Sequence, residues 1–291
     1  CALLVVLPNY RQHNKCDRAA KDAMMTDLPA LALLLGSVFV VSVVFSMLGQ
    51  GGGALYTPLQ VYLGLDFHTA ATTSLFLIMM TSLSATVVFR RAKRVDWPLA
   101  IVLETATVLG GLLGGIYSGR FSGAVLSVSF AVIVAVAAVF MIGRFESGIR
   151  RRLPAGGFAR WRREFAGHAY AVNLLVALPA SFVVGAASGL VGVGGGILKV
   201  PLMVLLLGIP MDIAVGSSAF MVGMTAAGGF AGHLISGHWD WRVSLLLAVA
   251  VLIGGQIGAR KSLGIDQNKL HVAFGWFLMA IAGMMVLKAV L

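Results

Sequence analysis

Apolar runs of about twenty residues, broken by short stretches that carry most of the charge, leave this chain few folds to choose from. A helix needs roughly 20 apolar residues to cross a hydrocarbon core, and in lipid only helices and closed barrels satisfy their own backbone. The long runs cover 28–48, 69–89, 99–117, 124–142, 172–190, 214–235, 243–257 and 272–291, with shorter ones at 54–65 and 197–207. Hydrophobic residues make up 59% of the 291 and charged residues 11%, a balance unsuited to a surface in water. The expectation is an all-α integral membrane protein. Residues 1–23 are set apart as a tail: their apolar stretch is too short to span, and the natural start is expected at Met24 or Met25.

The runs form two series. GQGGGALYTPLQVYLG from Gly49 lines up with GVGGGILKVPLMVLLLG from Gly192, which pairs Pro58 with Pro201 at an offset of 143. One residue later the offset becomes 144. It then pairs Ala70 with Ala214, Ser74 with Ser218, Asp96-Trp97 with Asp240-Trp241, Gly110 with Gly254 and Gly114 with Gly258. Each half holds four full spans and one short helix after a Gly-rich break, and an odd number of segments inverts the second copy in the membrane. The divisions are a first repeat over 24–142, a basic cytoplasmic linker over 143–168 and a second repeat over 169–291.

A net charge of +11 raises nucleic acid as a partner, so the position of the charge decides. Fourteen of the 22 Lys and Arg fall in three blocks between runs, at 90–94, 144–163 and 260–269, while 235–238, the repeat partner of the first block, has none. That alternation is the positive-inside pattern. The basicity is topological, nucleic acid is set aside, and a bacterial cytoplasmic membrane is expected with its linker inside. Cys1 and Cys16 both lie in the tail, and no Cys/His spacing suits a metal, so no metal and no cofactor are expected.

Gly and Pro interruptions at matching positions of inverted halves point to a transport site, because unwound backbone at membrane depth is tolerated only around a protein-lined cavity. Gly51, Gly52 and Gly53 in one half and Gly194, Gly195 and Gly196 in the other are therefore substrate-binding candidates. Each cluster precedes a short helix whose free N–H groups and positive dipole end favour an anion. The competing reading is close helix packing, which is preferred for Gly110, Gly114, Gly254 and Gly258. Neither cluster is a nucleotide fingerprint.

Lys199, inside the short segment 197–207, needs a counter-charge. It either pairs directly with an anionic substrate, or snorkels to the interface, or pairs with a distant acid. Its repeat counterpart is Tyr56. Glu104, opposite Ala248 in the repeat, is the proton-coupling candidate; the alternatives are a structural hydrogen bond and partnership with Lys199. The hydroxyls of Thr72, Thr73, Ser74, Ser217 and Ser218, with the amide of Gln50, complete the candidate set, although such residues also pack membrane helices. Expected partners are a small anion and the lipid bilayer, with proton coupling and a homodimer left open.

The repeated GxGGGxLxxPL, seen in GQGGGALYTPL (49–59) and GVGGGILKVPL (192–202), resembles the TauE/SafE family of membrane permeases, often called sulfite exporters. The resemblance covers about 28–291. It implies transport of sulfite or of sulfur-containing or organic anions such as sulfoacetate across the bacterial cytoplasmic membrane, without specifying which anion. An alternating-access secondary transporter, in the exporting direction, is the preferred function. An anion channel of the same architecture is the alternative. An intramembrane enzyme is disfavoured by the lack of any His-Glu-x-x-His or nucleophile elbow, and a purely structural role by the cost of paired breaks and a buried lysine.

Overall fold

The computed structural model describes residues 28–62, 65, 67–118, 120–121, 123–142, 160–191, 195–234, 239 and 241–266, with further helical positions between 269 and 283. The expected tail 1–23, linker residues 143–159, Gly194 and most of the span expected at 272–291 lie outside the described residues. The elements are α1 (Leu28–Met47), α2 (Gly53–Tyr62), α3 (Phe67–Arg91), α4 (Trp97–Ser118), α5 (Gly123–Ile142), β1 (Arg160–Phe165), β2 (His168–Asn173), α6 (Leu174–Val191), α7 (Gly196–Pro201), α8 (Met211–Leu234) and α9 (Trp241–Ser262). Among the described residues four helices are long and apolar enough to cross a membrane, over His68–Arg91, Trp97–Tyr117, Met211–Leu234 and Trp241–Ser262. Leu109, Val183 and Val249 point outward from the bundle and are more than half exposed. Lipid covers such a surface without cost where water would not.

Both short helices carry the proline that the sequence places there. Pro58 lies within α2, and Pro201 ends α7, where the chain loosens into a π-helical turn over Leu202–Leu206. Proline has no N–H for the carbonyl four residues back, which is why regular helix is weakened at both points.

Helix pairing is governed by glycine. On α4, a Cβ built on Gly110 would lie 2.2 Å from Phe182 O of α6, and one on Gly114 2.2 Å from Ala186 O. On α9, a Cβ on Gly254 would lie 2.9 Å from Phe39 O of α1, and one on Gly258 2.1 Å from Val43 O. These glycines are packing residues, as the sequence reading preferred. Phe39 and Val43 stand 143 residues before Phe182 and Ala186, so the contacts follow the same register as the repeat. The repeat-related helices α3 and α8 cross antiparallel: Gly223 abuts Ser82, and Gly229 abuts Leu75.

Among the described residues the regular structure is helical apart from one hairpin, which begins at Arg160 in the last part of the basic linker expected over 143–168 and runs past it to Asn173. β1 and β2 pair antiparallel through a tight turn at Ala166 and Gly167, both with positive φ, from Phe165↔His168 out to Arg160↔Asn173. One face, Trp161, Phe165, Tyr170 and Val172, packs on the start of α4 and on Met203, Leu207 and Ile213. Its anchor is Asp96, fully buried, whose carboxylate accepts from Arg163 and from Tyr170 of the hairpin. Burial, and then the Asp96 carboxylate that it faces, pushes the Tyr170 phenol above its ordinary range; the hydrogen bond to Asp96 raises Arg163 likewise.

Two outcomes are expected. Gly114→Ala and Gly258→Ala should each lower stability by about 1–3 kcal/mol, read by thermal unfolding in detergent, because the added methyl meets backbone that cannot move aside cheaply. Arg163→Ala should remove about 1.5–3 kcal/mol of hairpin anchoring, seen as loss of amide protection across 160–173 in hydrogen exchange. In the unaltered chain the Tyr170 contribution is complete below the ordinary tyrosine value of about 10 and fades as pH rises through the higher folded value, so hairpin protection factors should hold constant from about pH 6 to 9.

Candidate functional site

The path between α1 and α2 is unwound by three glycines in the left-handed region, Gly49 (φ 66), Gly51 (φ 71) and Gly52 (φ 88). Residues with a side chain rarely adopt that backbone. Space forbids one as well, since a Cβ on Gly49 would lie 2.2 Å from Val215 O and one on Gly52 2.6 Å from the Tyr56 ring. The second break shows the same device at Gly195 (φ 77), and α7 begins at Gly196. A Cβ on Gly196 would lie 2.3 Å from Gln50 O, so the two breaks touch inside the bundle.

Ser218, from α8, clamps the first break by donating to Gly49 O at 3.0 Å. Ser217 accepts from Asp96 N–H at 3.1 Å, Ser74 accepts from Gln60 Nε2 at 3.0 Å, and Thr72 donates back to His68 O at 2.8 Å. Thr73 is buried 3.5 Å from Ser244 Oγ, and Gly53 opens α2. Ser218, Ser217 and Ser74 thus tie one element to another, whereas the Thr72 bond stays within α3. The Gln50 amide differs: it is buried, and among the described residues neither its oxygen nor its nitrogen meets a partner, nor does the Ser82 hydroxyl beside Gly51.

Next to the second break lies a buried ion pair. Lys199 Nζ donates to Glu104 Oε2 at 2.7 Å, to Met221 O at 2.6 Å and to Thr225 Oγ1 at 2.6 Å. Thr225 in turn donates to Glu104 Oε1 at 2.5 Å. An ammonium has three N–H bonds, and here each has a protein acceptor. Of the readings open for Lys199 in sequence, pairing with an acid is the one seen in this arrangement. In the other half Tyr56 OH lies 3.0 Å from Thr81 Oγ1. Tyr56 and Thr81 stand at the repeat positions of Lys199 and Thr225, with Ala248 in place of Glu104. Each half therefore contributes one charge to a single ion pair, and the repeat-related set of Tyr56, Thr81 and Ala248 is neutral.

Thr225, Thr81 and Ser82 were missed in the sequence reading. A signal existed for two of them, since Met80-Thr81 and Met224-Thr225 recur at the offset of 144. Among the described residues no group of three His, Cys, Asp or Glu side chains is placed to hold a metal.

The family profile described as "Sulfite exporter TauE/SafE" matches residues 34–285, both breaks and the ion pair included. The chain belongs to the TauE/SafE family. Among its relatives, the "probable membrane transporter protein YunE" of Bacillus subtilis (strain 168) is 29% identical over 242 residues, covering 80% of this chain and 86% of that protein. A probable membrane transporter protein of Methanocaldococcus jannaschii is 22% identical over 283 residues, covering 88% of this chain and 93% of the relative. One from Xylella fastidiosa (strain Temecula1) is 34% identical over 117 residues, 40% of this chain and 44% of its own. No solved structure matches. The chain is thus a multi-pass membrane transporter, and family membership points to transport rather than to catalysis.

The ion pair makes a sharp stability test. Lys199→Met alone leaves Glu104 buried and uncompensated and should cost about 3–5 kcal/mol, whereas the double variant Lys199→Met/Glu104→Met should recover most of that loss in thermal unfolding. A double-variant loss equal to the sum of the losses of Lys199→Met and Glu104→Met measured singly would show that the two side chains are not coupled.

Proposed function

We propose that this transporter exports small sulfur-containing or organic anions, of the sulfite or sulfoacetate kind, across the bacterial cytoplasmic membrane by alternating access. The observation that carries the reading is the meeting of two glycine breaks, Gln50 O against Gly196, beside a buried lysine. Broken backbone in the membrane interior is tolerated around a solute path. The scaffold we infer is an inverted repeat with a twofold axis in the membrane plane. Its support is the antiparallel crossing of α3 and α8 and the matched glycine contacts of α4 on α6 and α9 on α1. The positive-inside pattern supports a cytoplasmic side for the basic linker.

Lys199 and Glu104 supply the coupling. All three ammonium N–H bonds are taken, so an anion reaches Lys199 by displacing one of its acceptors, and the Glu104 carboxylate is the one whose like charge it repels. A carboxylate displaced in a dry interior is held most cheaply as the neutral acid. Cargo binding then goes with proton uptake on Glu104, the carried unit is an anion with a proton, and its own gradient drives it out. The Gln50 amide and the Ser82 hydroxyl, both without partners among the described residues, are the neutral groups available to a cargo's oxygens.

The test is binding and flux in proteoliposomes with sulfite, sulfate, thiosulfate, sulfoacetate, taurine and a simple carboxylate. One sulfur oxyanion or sulfonate should show saturable exchange accompanied by proton movement. Glu104→Gln should keep anion exchange and lose the proton movement. Lys199→Met/Glu104→Met, expected to fold, should bind the cargo about 10- to 100-fold more weakly. Conductance without saturable exchange would replace the transporter with a channel.

A further inference from the structure

At one end of the bundle α3 and α9 run side by side in the same direction, and between their last turns lies a cavity of about 370 Å³. Val88, Val87 and Leu263 form its apolar wall, and Arg91 and Arg260 stand over it. Val87 and both arginines are exposed, so the cavity opens sideways from the bundle. Arg260 spends one N–H on Gln256 Oε1 at 3.3 Å. Among the described residues neither Arg91 nor Arg260 faces a carboxylate; the acids Asp96 and Glu104 are committed to Arg163 and Lys199.

We infer that the groove between the ends of α3 and α9 binds the headgroup of an anionic phospholipid. The position is right for it, since both helices are membrane-crossing candidates and the groove lies at their ends, where phosphates of one leaflet sit. The chemistry fits as well. Two guanidiniums without counter-charge present forked donors that match phosphate oxygens, and the valine and leucine wall below them takes the glycerol and first methylenes of the chains. A soluble anion uses only the rim and gains nothing from the wall. A zwitterionic headgroup brings its own cation toward two fixed ones. The bound lipid bridges helices from the two halves of the chain. The inference rests on membrane insertion alone, independently of cargo, direction or coupling.

Native mass spectrometry of the purified full chain in detergent tests it, with phosphatidylglycerol, phosphatidylcholine and soluble glycerol phosphate as probes. One phosphatidylglycerol should be retained, phosphatidylcholine should bind roughly thirtyfold more weakly, and Arg91→Ala/Arg260→Ala should lose the preference by a similar factor. Arg120→Ala, which removes only a stack on Tyr117, should retain it. Equal retention of the two lipids by the unaltered chain overturns the proposal, as does undiminished phosphatidylglycerol binding by the double variant. Displacement of the lipid by glycerol phosphate at comparable concentration would also overturn it, since a free anion is then the ligand. The first and last of these are read on the unaltered chain and do not depend on a variant folding.

Discussion

Everything in this bundle follows from where its backbone polar groups go once the chain leaves the regular helix inside lipid. Two stretches do so, at Gly49–Gly52 and at Gly195, and each is enclosed by protein rather than exposed to hydrocarbon. The cover is local and specific. Ser218 holds Gly49 O, the Gln50 carbonyl lies against Gly196, and the central helices α3 and α8 flank the meeting point. Helices come close enough to seal the breaks because glycines on α4 and α9 let backbones touch. Close packing is a condition for the irregular backbone, and that backbone is the feature a transporter needs.

Two repeat-related sets of side chains differ in charge. Lys199, Thr225 and Glu104 make a closed set of hydrogen bonds, and the positions equivalent to them in the repeat hold Tyr56, Thr81 and Ala248. A neutral phenol and hydroxyl need no counter-charge; a lysine there does, and burying it alone would cost several kcal/mol. Glu104 comes from the first half and Lys199 from the second, so the pair also links the halves.

Spans, breaks and the repeat were legible because each is a matter of period and composition. Seven of the eight long apolar runs became α1, α3, α4, α5, α6, α8 and α9 with ends shifted by a few residues, and Gly49, Gly51, Gly52 and Gly195 of the two clusters take left-handed backbone. The hairpin was not seen. Its inward positions alternate as strands require, but Arg163 occupies one of them, and its neighbours Arg160 and Arg162 made the segment read as a charged loop. Arg163 is tolerated there because Asp96 receives it, and that contact spans 67 residues of sequence. The pairing of Lys199 with Glu104 stood among the readings open in the sequence, yet choosing it required the distances. The hydroxyls of Ser217, Ser218, Ser74 and Thr72 matched a substrate site in type, and the geometry spends them on the scaffold.

The same two helices are tied at two levels. Asp96 N–H donates to Ser217 near the starts of α4 and α8, and eight residues further along both, Glu104 accepts from Thr225. At about 1.5 Å per residue the two ties stand roughly 12 Å apart along parallel helices. A pair held in register at both levels moves as one body, so α4 and α8 cannot slide past each other while Glu104 keeps its partners. Displacing Glu104 removes the inner tie and leaves the outer one, which is anchored to the hairpin through the Asp96 carboxylate.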